Sequence, residues 1–490
     1  MSKQERYIIG VDIGTGSTKV IAVMPGGKMP AVHQQSYQTH RPQEGYSEQD
    51  PEELLQAVVA GVRTVVAQMK YAPAGISFSA AMHSVMAVDE DGSPLTPLII
   101  WADNRSQAVA DVLKGTAQGR QLYERTGVPV HPMSPLCKIV WMREQAPQVF
   151  ARAAKYVGIK SYLFFRFFGI YVTDYSVASA SGLLDIYTLQ WSVPAMAVAG
   201  ISVDQLPKPV SPDHILKGLG DDMAEAMGIP ADTPFIAGGS DGCLAQLGSQ
   251  AMEPGHATLT IGSSGAVRMV NFKAATDDSG RLFTYVLMPE QYITGGAINN
   301  GGVVLQWFIK QFMQQGEEGG SMAECIDRAL AVPAGAEGLL CLPYMLGERA
   351  PVWDGHARGA FVGVQLHHTP AHFLRAMLEG IAFSLLTITE GLEETVCPVT
   401  HISVSGGFTA SPGWVQLLAD IFQQSMALQQ QRDASATGAA ILAYQALGMD
   451  YHPEQTGPAT VFAPDIRHSA VYRERYQEYK QLYGRLEGLF

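Results

Sequence analysis

Short apolar runs flank a polar, glycine-bearing turn at the start of the chain, and the same alternation returns in the second half. Tyr7 to Val11 is apolar, Asp12-Ile13-Gly14-Thr15-Gly16-Ser17-Thr18-Lys19 follows, and Val20 to Val23 is apolar again. Two such runs joined by a turn predict a β-hairpin. From Asp50 the period changes. Leu54, Leu55, Val58, Val62, Val65, Val66 and Met69 recur every three or four residues, which predicts a helix laying one apolar stripe on a sheet. Asp50 suits its N-cap, Pro51 its first position and Glu53 a capping box. Gly75 to Ala80 then reads as a strand, and Val85 to Val88 as another ahead of the Asp91-Gly92 turn. Strand, hairpin, helix, strand predicts an α/β architecture.

The second half repeats part of this outline. Ala257 to Ile261, Gly262-Ser263-Ser264-Gly265 and Ala266 to Val270 again read as strand, turn and strand. Thr260-Ile261-Gly262-Ser263-Ser264 matches Asp12-Ile13-Gly14-Thr15-Gly16 in its Ile-Gly pair and hydroxyl-bearing turn, so an internal duplication is expected. A chain of 490 residues exceeds what one hydrophobic core usually supports. Gly248, Ser249, Pro254 and Gly255 cluster between Leu247 and His256, and we place a boundary there, giving domains 1–247 and 248–490. Two such hairpins facing each other would enclose a cleft lined with amides and hydroxyls.

Composition narrows the function classes. A formal charge of −13 argues against a nucleic-acid or anionic-membrane surface, both of which attract basic patches. A nucleotide would need local amides, a metal ion and a few lysines. The five cysteines form no C-x-x-C pair, and reduced thiols are the simplest reading. No run approaches 18 apolar residues, and Met1 to Arg6 lead directly into a strand broken by Asp12 and Lys19. Neither a spanning helix nor a signal peptide is expected, and the expected location is the cytoplasm. The sequence leaves the oligomeric state open, a homodimer included.

Several segments carry candidate chemistry. Gly14 and Gly16 let backbone N–H groups approach a phosphate, while Thr15, Ser17 and Thr18 offer hydroxyls and Lys19 a charge. Asp12 at the strand end could hold Mg²⁺ through water, the alternative being an ordinary turn with a capping aspartate. Gly262, Ser263 and Ser264 form a second donor-rich turn. Gly406-Gly407 after the strand His401 to Val404 suits an adenosine lying close to backbone, or a tight strand-to-helix turn. Asp241 follows the apolar strand Phe235 to Ala237 and Gly238-Gly239-Ser240, where ligands approach an open α/β sheet. It is a candidate acceptor for a hydroxyl proton; otherwise it is a helix N-cap. Cys243 has no basic neighbour to make it a nucleophile. Met82-His83 and Trp101-Ala102-Asp103-Asn104-Arg105 offer the planar, multidentate groups that bind sugars, or serve structure.

Taken together these segments resemble the FGGY carbohydrate kinases along nearly the whole chain. One family signature is matched by Met133-Ser134-Pro135-Leu136-Cys137-Lys138-Ile139-Val140-Trp141-Met142-Arg143-Glu144-Gln145. A second is matched by Gly359-Ala360-Phe361-Val362-Gly363-Val364 running on to His372-Phe373-Leu374-Arg375-Ala376-Met377-Leu378-Glu379. The resemblance implies two actin-like (RNase H-like) ATPase domains, ATP with Mg²⁺ in the interdomain cleft, and closure on the substrate. By position it implies Asp241 as catalytic base and Asp12 as the metal- or phosphate-side carboxylate. Gly14, Thr15, Ser17, Thr18 and Lys19 would form the first phosphate loop, and Gly262 and Ser263 the second. Gly302, Gln306, Gly406, Gly407 and Ser411 fall on the nucleotide side, Ser411 standing where some relatives carry Asn.

Met82-His83 occupies the sugar-contacting place of xylulose kinases. The surrounding text, Ser79 to Val85, Trp101 to Arg105, His131 to Met133, Gly158 to Lys160 and Asp174 to Ser176, is closer to gluconate kinases. The implied reaction is phosphorylation of a terminal hydroxyl of a sugar acid, with gluconate the first expectation. Its carboxylate wants a cation, for which Arg105 and Lys160 are the candidates, either of which could instead be a structural ion-pair member. The rivals are a pentulose or polyol kinase and a non-catalytic, nucleotide-dependent clamp of actin-like fold.

Overall fold

In the computed structural model, which describes residues 6–313, 320–429, 433–454 and 459–490, the first hairpin pairs β1 (Ile8–Ile13) with β2 (Ser17–Val23). β3 (Ala31–Ser36) extends it antiparallel, and β4 (Gly75–Ala80) lies parallel to β1 on the other side. β5 (Ile215–Leu216) and β6 (Phe235–Ser240) complete a six-stranded sheet in the order β5-β6-β4-β1-β2-β3. The apolar stripe packs on this sheet through α1 (Pro51–Met69): Leu54, Leu55, Val58, Val62 and Val65 are buried, while Val66 and Met69 are partly so. Asp50 caps it as expected, although its carboxylate accepts from Glu52 N–H rather than that of Glu53.

The second half repeats the pattern. β7 (His256–Ile261) pairs antiparallel with β8 (Gly265–Asn271) and parallel with β11 (His401–Ser405). With β9 (Phe283–Met288), β10 (Gln291–Ile298), β12 (Met426–Leu428) and β13 (Val461–Phe462) it forms a seven-stranded sheet, β9-β10-β8-β7-β11-β12-β13. The two halves agree down to side chains. Asp12 stands opposite Ser79 and accepts its hydroxyl at 2.7 Å, and Thr260 stands opposite Ser405 with their hydroxyls 2.9 Å apart. The fold is two mixed α/β domains of actin-like design.

Two helices join the halves. α2 (Asp241–Gly248) leaves the end of β6, and α4 (Ala434–Ala446) packs on it and on β1, β4 and β6. They cross in backbone contact: a β-carbon on Gly438 would sit 1.9 Å from the Leu244 carbonyl oxygen, and one on Gly248 1.9 Å from that of Ala434. Among the described residues one helix, α3 (Pro370–Thr395), has the length and composition to cross a membrane, but 72% of its apolar window is buried in the second domain. The five cysteines are free thiols.

Candidate active site

Both hairpin turns reach one cavity of about 290 Å³ between the domains. Thr15 lines it from the first turn, Gly262 and Ser264 from the second, and Asp241 from the start of α2. Met82, His83, Trp101 and Met133 add the first domain's wall, and Arg268, Phe283, Tyr285, Arg349 and Trp353 the second's. A larger groove of about 410 Å³ adjoins it at Trp353, but its Asp277 is paired with Arg281, its Arg120 with Glu124, and its Lys114 donates to the carbonyls of Val352 and Trp353.

Asp241 is the first residue of α2, not its cap. Ser240 takes that role, its hydroxyl accepting from Cys243 N–H, so the Asp241 carboxylate is left for the cavity, held by Gly242 N–H at 2.7 Å. Burial pushes this carboxyl up, and the nearby Arg268 and Arg349 oppose the rise. Behind β6, Lys160 pairs with Asp174 and donates to the Gly239 carbonyl at 3.0 Å, where the pairing of β6 with β4 shifts register. Burial pushes the Cys243 thiol up to about 11, which removes it as a nucleophile.

His83 has φ 65, a backbone state uncommon for a residue with a side chain. Lys138 holds it there, donating to the carbonyls of His83, Ile100 and Met133 at 2.8, 2.7 and 2.8 Å and so drawing together three segments of the wall. Burial, with Lys138 and Arg349 nearby, lowers His83 to about 3, so the ring is neutral. Its Nδ1 lies 2.7 Å from the Ala180 carbonyl and carries the proton, leaving Nε2 as an acceptor, 3.3 Å from the Tyr285 hydroxyl. Trp101 donates to Thr15 Oγ1 at 2.8 Å, and the Arg349 guanidinium lies 4.7 Å from the Trp101 ring, so the two domains touch across the cavity.

Asp12, the penultimate residue of β1, has its carboxyl pushed up to about 6, first by burial and further by Asp241 and Asp433, against the Ser79 hydroxyl and Lys19. Among the described residues no three carboxylate, histidine or cysteine side chains cluster to ligate a metal ion directly, so Asp12 fits Mg²⁺ only through the ion's waters. Lys19 forms an ion pair with Asp433 at 2.5 Å. On the second domain, Gly302 N–H donates to the Gly262 carbonyl at 2.8 Å, and the Ser263 carbonyl accepts from Gly301 and Val303. Gly406, at φ 108, approaches so closely that a β-carbon would lie 2.3 Å from the Ile261 carbonyl oxygen. Gly262, Ser263, Gly302, Gly406 and Gly407 thus gather at the carboxyl ends of neighbouring strands.

Other expected positions fall elsewhere. Arg105 is not in the cavity wall: its guanidinium is held by Asp103 and Glu48 and stacks on Tyr46, 3.8 Å from the ring centre. Asp103 is spent on Arg105 and on Ser47 N–H. Lys160 is likewise an ion-pair member, 1% exposed, and neither cation reaches the cavity wall. Thr18 is fully buried on the opposite face of β2 from Lys19, and Ser17 accepts from Gln34 at the surface. Gln306 is exposed on the helix Gly302–Phe308, and the Ser411 hydroxyl caps the helix Pro412–Phe422. Arg268, Arg349, Tyr285 and Trp353 were not singled out from the sequence; each is an isolated residue in a strand or loop with no local motif.

Fold and site together define a class, and family comparison agrees. The N-terminal domain of the FGGY family of carbohydrate kinases matches residues 7–248 and its C-terminal domain residues 257–447. The chain belongs to this family; it is a sugar kinase, with ATP as co-substrate, which sets aside the non-catalytic clamp. It is 40% identical to a gluconokinase of Bacillus subtilis over 450 residues, covering 90% of this chain and 88% of the relative. The crystal structure of gluconate kinase from Lactobacillus acidophilus superposes with a TM-score of 0.92 at 32% identity, covering 99% of this chain and 98% of that one. The ligand-bound xylulose kinase of the same organism gives 0.92 at 32%, covering 98% of each chain.

Proposed function

We propose that this kinase transfers the γ-phosphoryl group of ATP to the terminal hydroxyl of a sugar acid, gluconate in the first instance, giving 6-phosphogluconate. The observation that carries the reading is the meeting of Asp241, Thr15 and Gly262 on one cavity. In this reading the domains, 1–247 and 248–490, close on their ligands and expel water. The Gly14 and Gly262 N–H groups close their own turns, leaving the amides of Thr15, Gly16 and Ser263 to cradle the phosphates, while Gly302 and Gly407 lie along the nucleotide. Asp12 would hold Mg²⁺ through water, the ion supplying charge neutralisation for the phosphates. Met82 and His83 orient the acceptor, His83 Nε2 accepting from a hydroxyl. The acceptor oxygen bonds to the γ-phosphorus as the bond to ADP breaks, and the proton passes to Asp241. Positioning and charge stabilisation supply most of the acceleration, with about 10²- to 10⁴-fold from the base. The enzyme would act in the cytoplasm, where ATP is available.

A pentulose such as xylulose is the second reading, favoured by Met82 and His83 in the wall and by the similarity to xylulose kinases. ADP release measured in parallel with gluconate, xylulose, ribulose and glycerol decides between them. A kcat/KM for gluconate exceeding the others is the expected result; preference for xylulose would overturn the first reading.

A further inference from the structure

Arg268 stands out in the cavity wall as a cation near the Asp241 carboxyl but not paired with it. It projects from β8, lines the cavity, and makes no hydrogen bond or ion pair among the described residues. Its Nε is buried and unsatisfied. Two glycines make room for it. Gly295 stands opposite on β10, where a β-carbon would lie 3.2 Å from Arg268 Cγ, and one on Gly242 would lie 3.0 Å from Arg268 Nε and from Met82 Cε. Arg349 differs: its Nε donates to Asn299 Oδ1 at 2.8 Å and its guanidinium lies against Trp101.

We infer that Arg268 is the specificity-determining residue that binds the substrate's carboxylate, a conclusion that rests on the sugar-acid reading above. A half-buried guanidinium whose Nε is enclosed without an acceptor is costly, and a planar carboxylate answers it with two parallel charge-assisted bonds. We assign the anion to the acceptor rather than to the nucleotide because Arg268 projects from β8 and not from either hairpin turn, and lies against Gly242 beside Met82, with the apolar Phe283 in the same wall. An acid is thereby favoured over a neutral sugar of the same shape, and Arg105 and Lys160 are free to serve the scaffold.

The test compares kcat/KM for gluconate and for its neutral amide, gluconamide, at saturating ATP in wild type, Arg268→Met and Arg268→Lys, with KM for ATP measured in each. Wild type should favour the acid by about 10- to 100-fold. Arg268→Met should lose this preference by losing the acid, and Arg268→Lys should keep part of it. An equal fall for acid and amide, or a raised KM for ATP, would assign the arginine to the phosphoryl side and overturn the inference. Should Arg268→Met fail to fold, an undiminished acid preference in Arg268→Lys together with Arg268→Gln would overturn it equally. Wild-type turnover of xylulose but not gluconate would instead sink the sugar-acid reading on which it rests.

Discussion

Lys160 and Asp174 meet in a buried ion pair, Nζ to Oδ2 2.6 Å, behind the strand that delivers Asp241. The ammonium also donates to the Gly239 and Phe78 carbonyls, at 3.0 and 3.4 Å. Asp174 in turn accepts from Val177 N–H, one residue past Ser176, whose hydroxyl is 2.7 Å from that of Ser240. Lys160→Met should cost about 3–5 kcal/mol, because it leaves a carboxylate enclosed without its partner. Thermal melts read that loss. Turnover of every acceptor should fall by a similar factor; a rise in KM confined to the acid would instead mean that Lys160 touches substrate.

Arg105 provides a second contrast. Its charge is answered by Asp103 and Glu48, with its guanidinium over the Tyr46 ring. Arg105→Gln should lower stability by about 3 kcal/mol while leaving the ratio of acid to neutral acceptor as in wild type. Parallel melts and kcat/KM ratios check both halves of that statement.

Asp241→Asn preserves shape and removes the proton acceptor. Because Ser240 carries the helix cap, the fold should survive, as circular dichroism would report. We expect kcat to fall about 10²- to 10⁴-fold, with ATP affinity from calorimetry close to that of wild type. Retention of full activity would remove Asp241 from the mechanism.

Asp12 makes a pH-dependent prediction. Its carboxyl is pushed up to about 6 by burial above all. A folded-state value above the unfolded one of about 3.9 gives a contribution fully present below pH ~4 and lost as pH rises through about 6. Asp12→Asn should therefore stabilise the ligand-free protein at pH 8, by on the order of 1 kcal/mol, and make little difference at pH 4. Melting curves at both pH values test the sign, and a variant less stable than wild type at pH 8 contradicts it. Nucleotide binding with Mg²⁺ should weaken below about pH 6 in wild type alone.

Much of the architecture was legible because it is written in local pattern. The two hairpins, the helix from Asp50 and the strand before Asp241 each follow from apolar period and turn chemistry over fewer than twenty residues. Candidate residues failed where chemistry was inferred without a partner. Arg105 is neutralised by Glu48, far away in the chain, and Lys160 by Asp174. Thr18 and Lys19 are consecutive in a strand and cannot both face the cleft, an alternation the sequence already contains. Ser411 precedes Pro412, the signature of a helix start, and its hydroxyl goes to Trp414 N–H. Arg268 and Arg349 lacked any signal, since a lone arginine in a strand or loop reads the same whether it meets solvent or substrate.

Because α2 and α4 touch backbone to backbone at Gly248 and Gly438, and the Ser435 hydroxyl of α4 donates to the Asp241 carbonyl at 3.1 Å, the two helices are clasped along the whole of α2. A rigid shift of α4 therefore carries the base with it, and a displacement on the order of 1 Å is the scale on which reacting atoms gain or lose alignment. Two missing methyl groups and one hydroxyl thus couple the reach of the base to a helix from the other half of the chain.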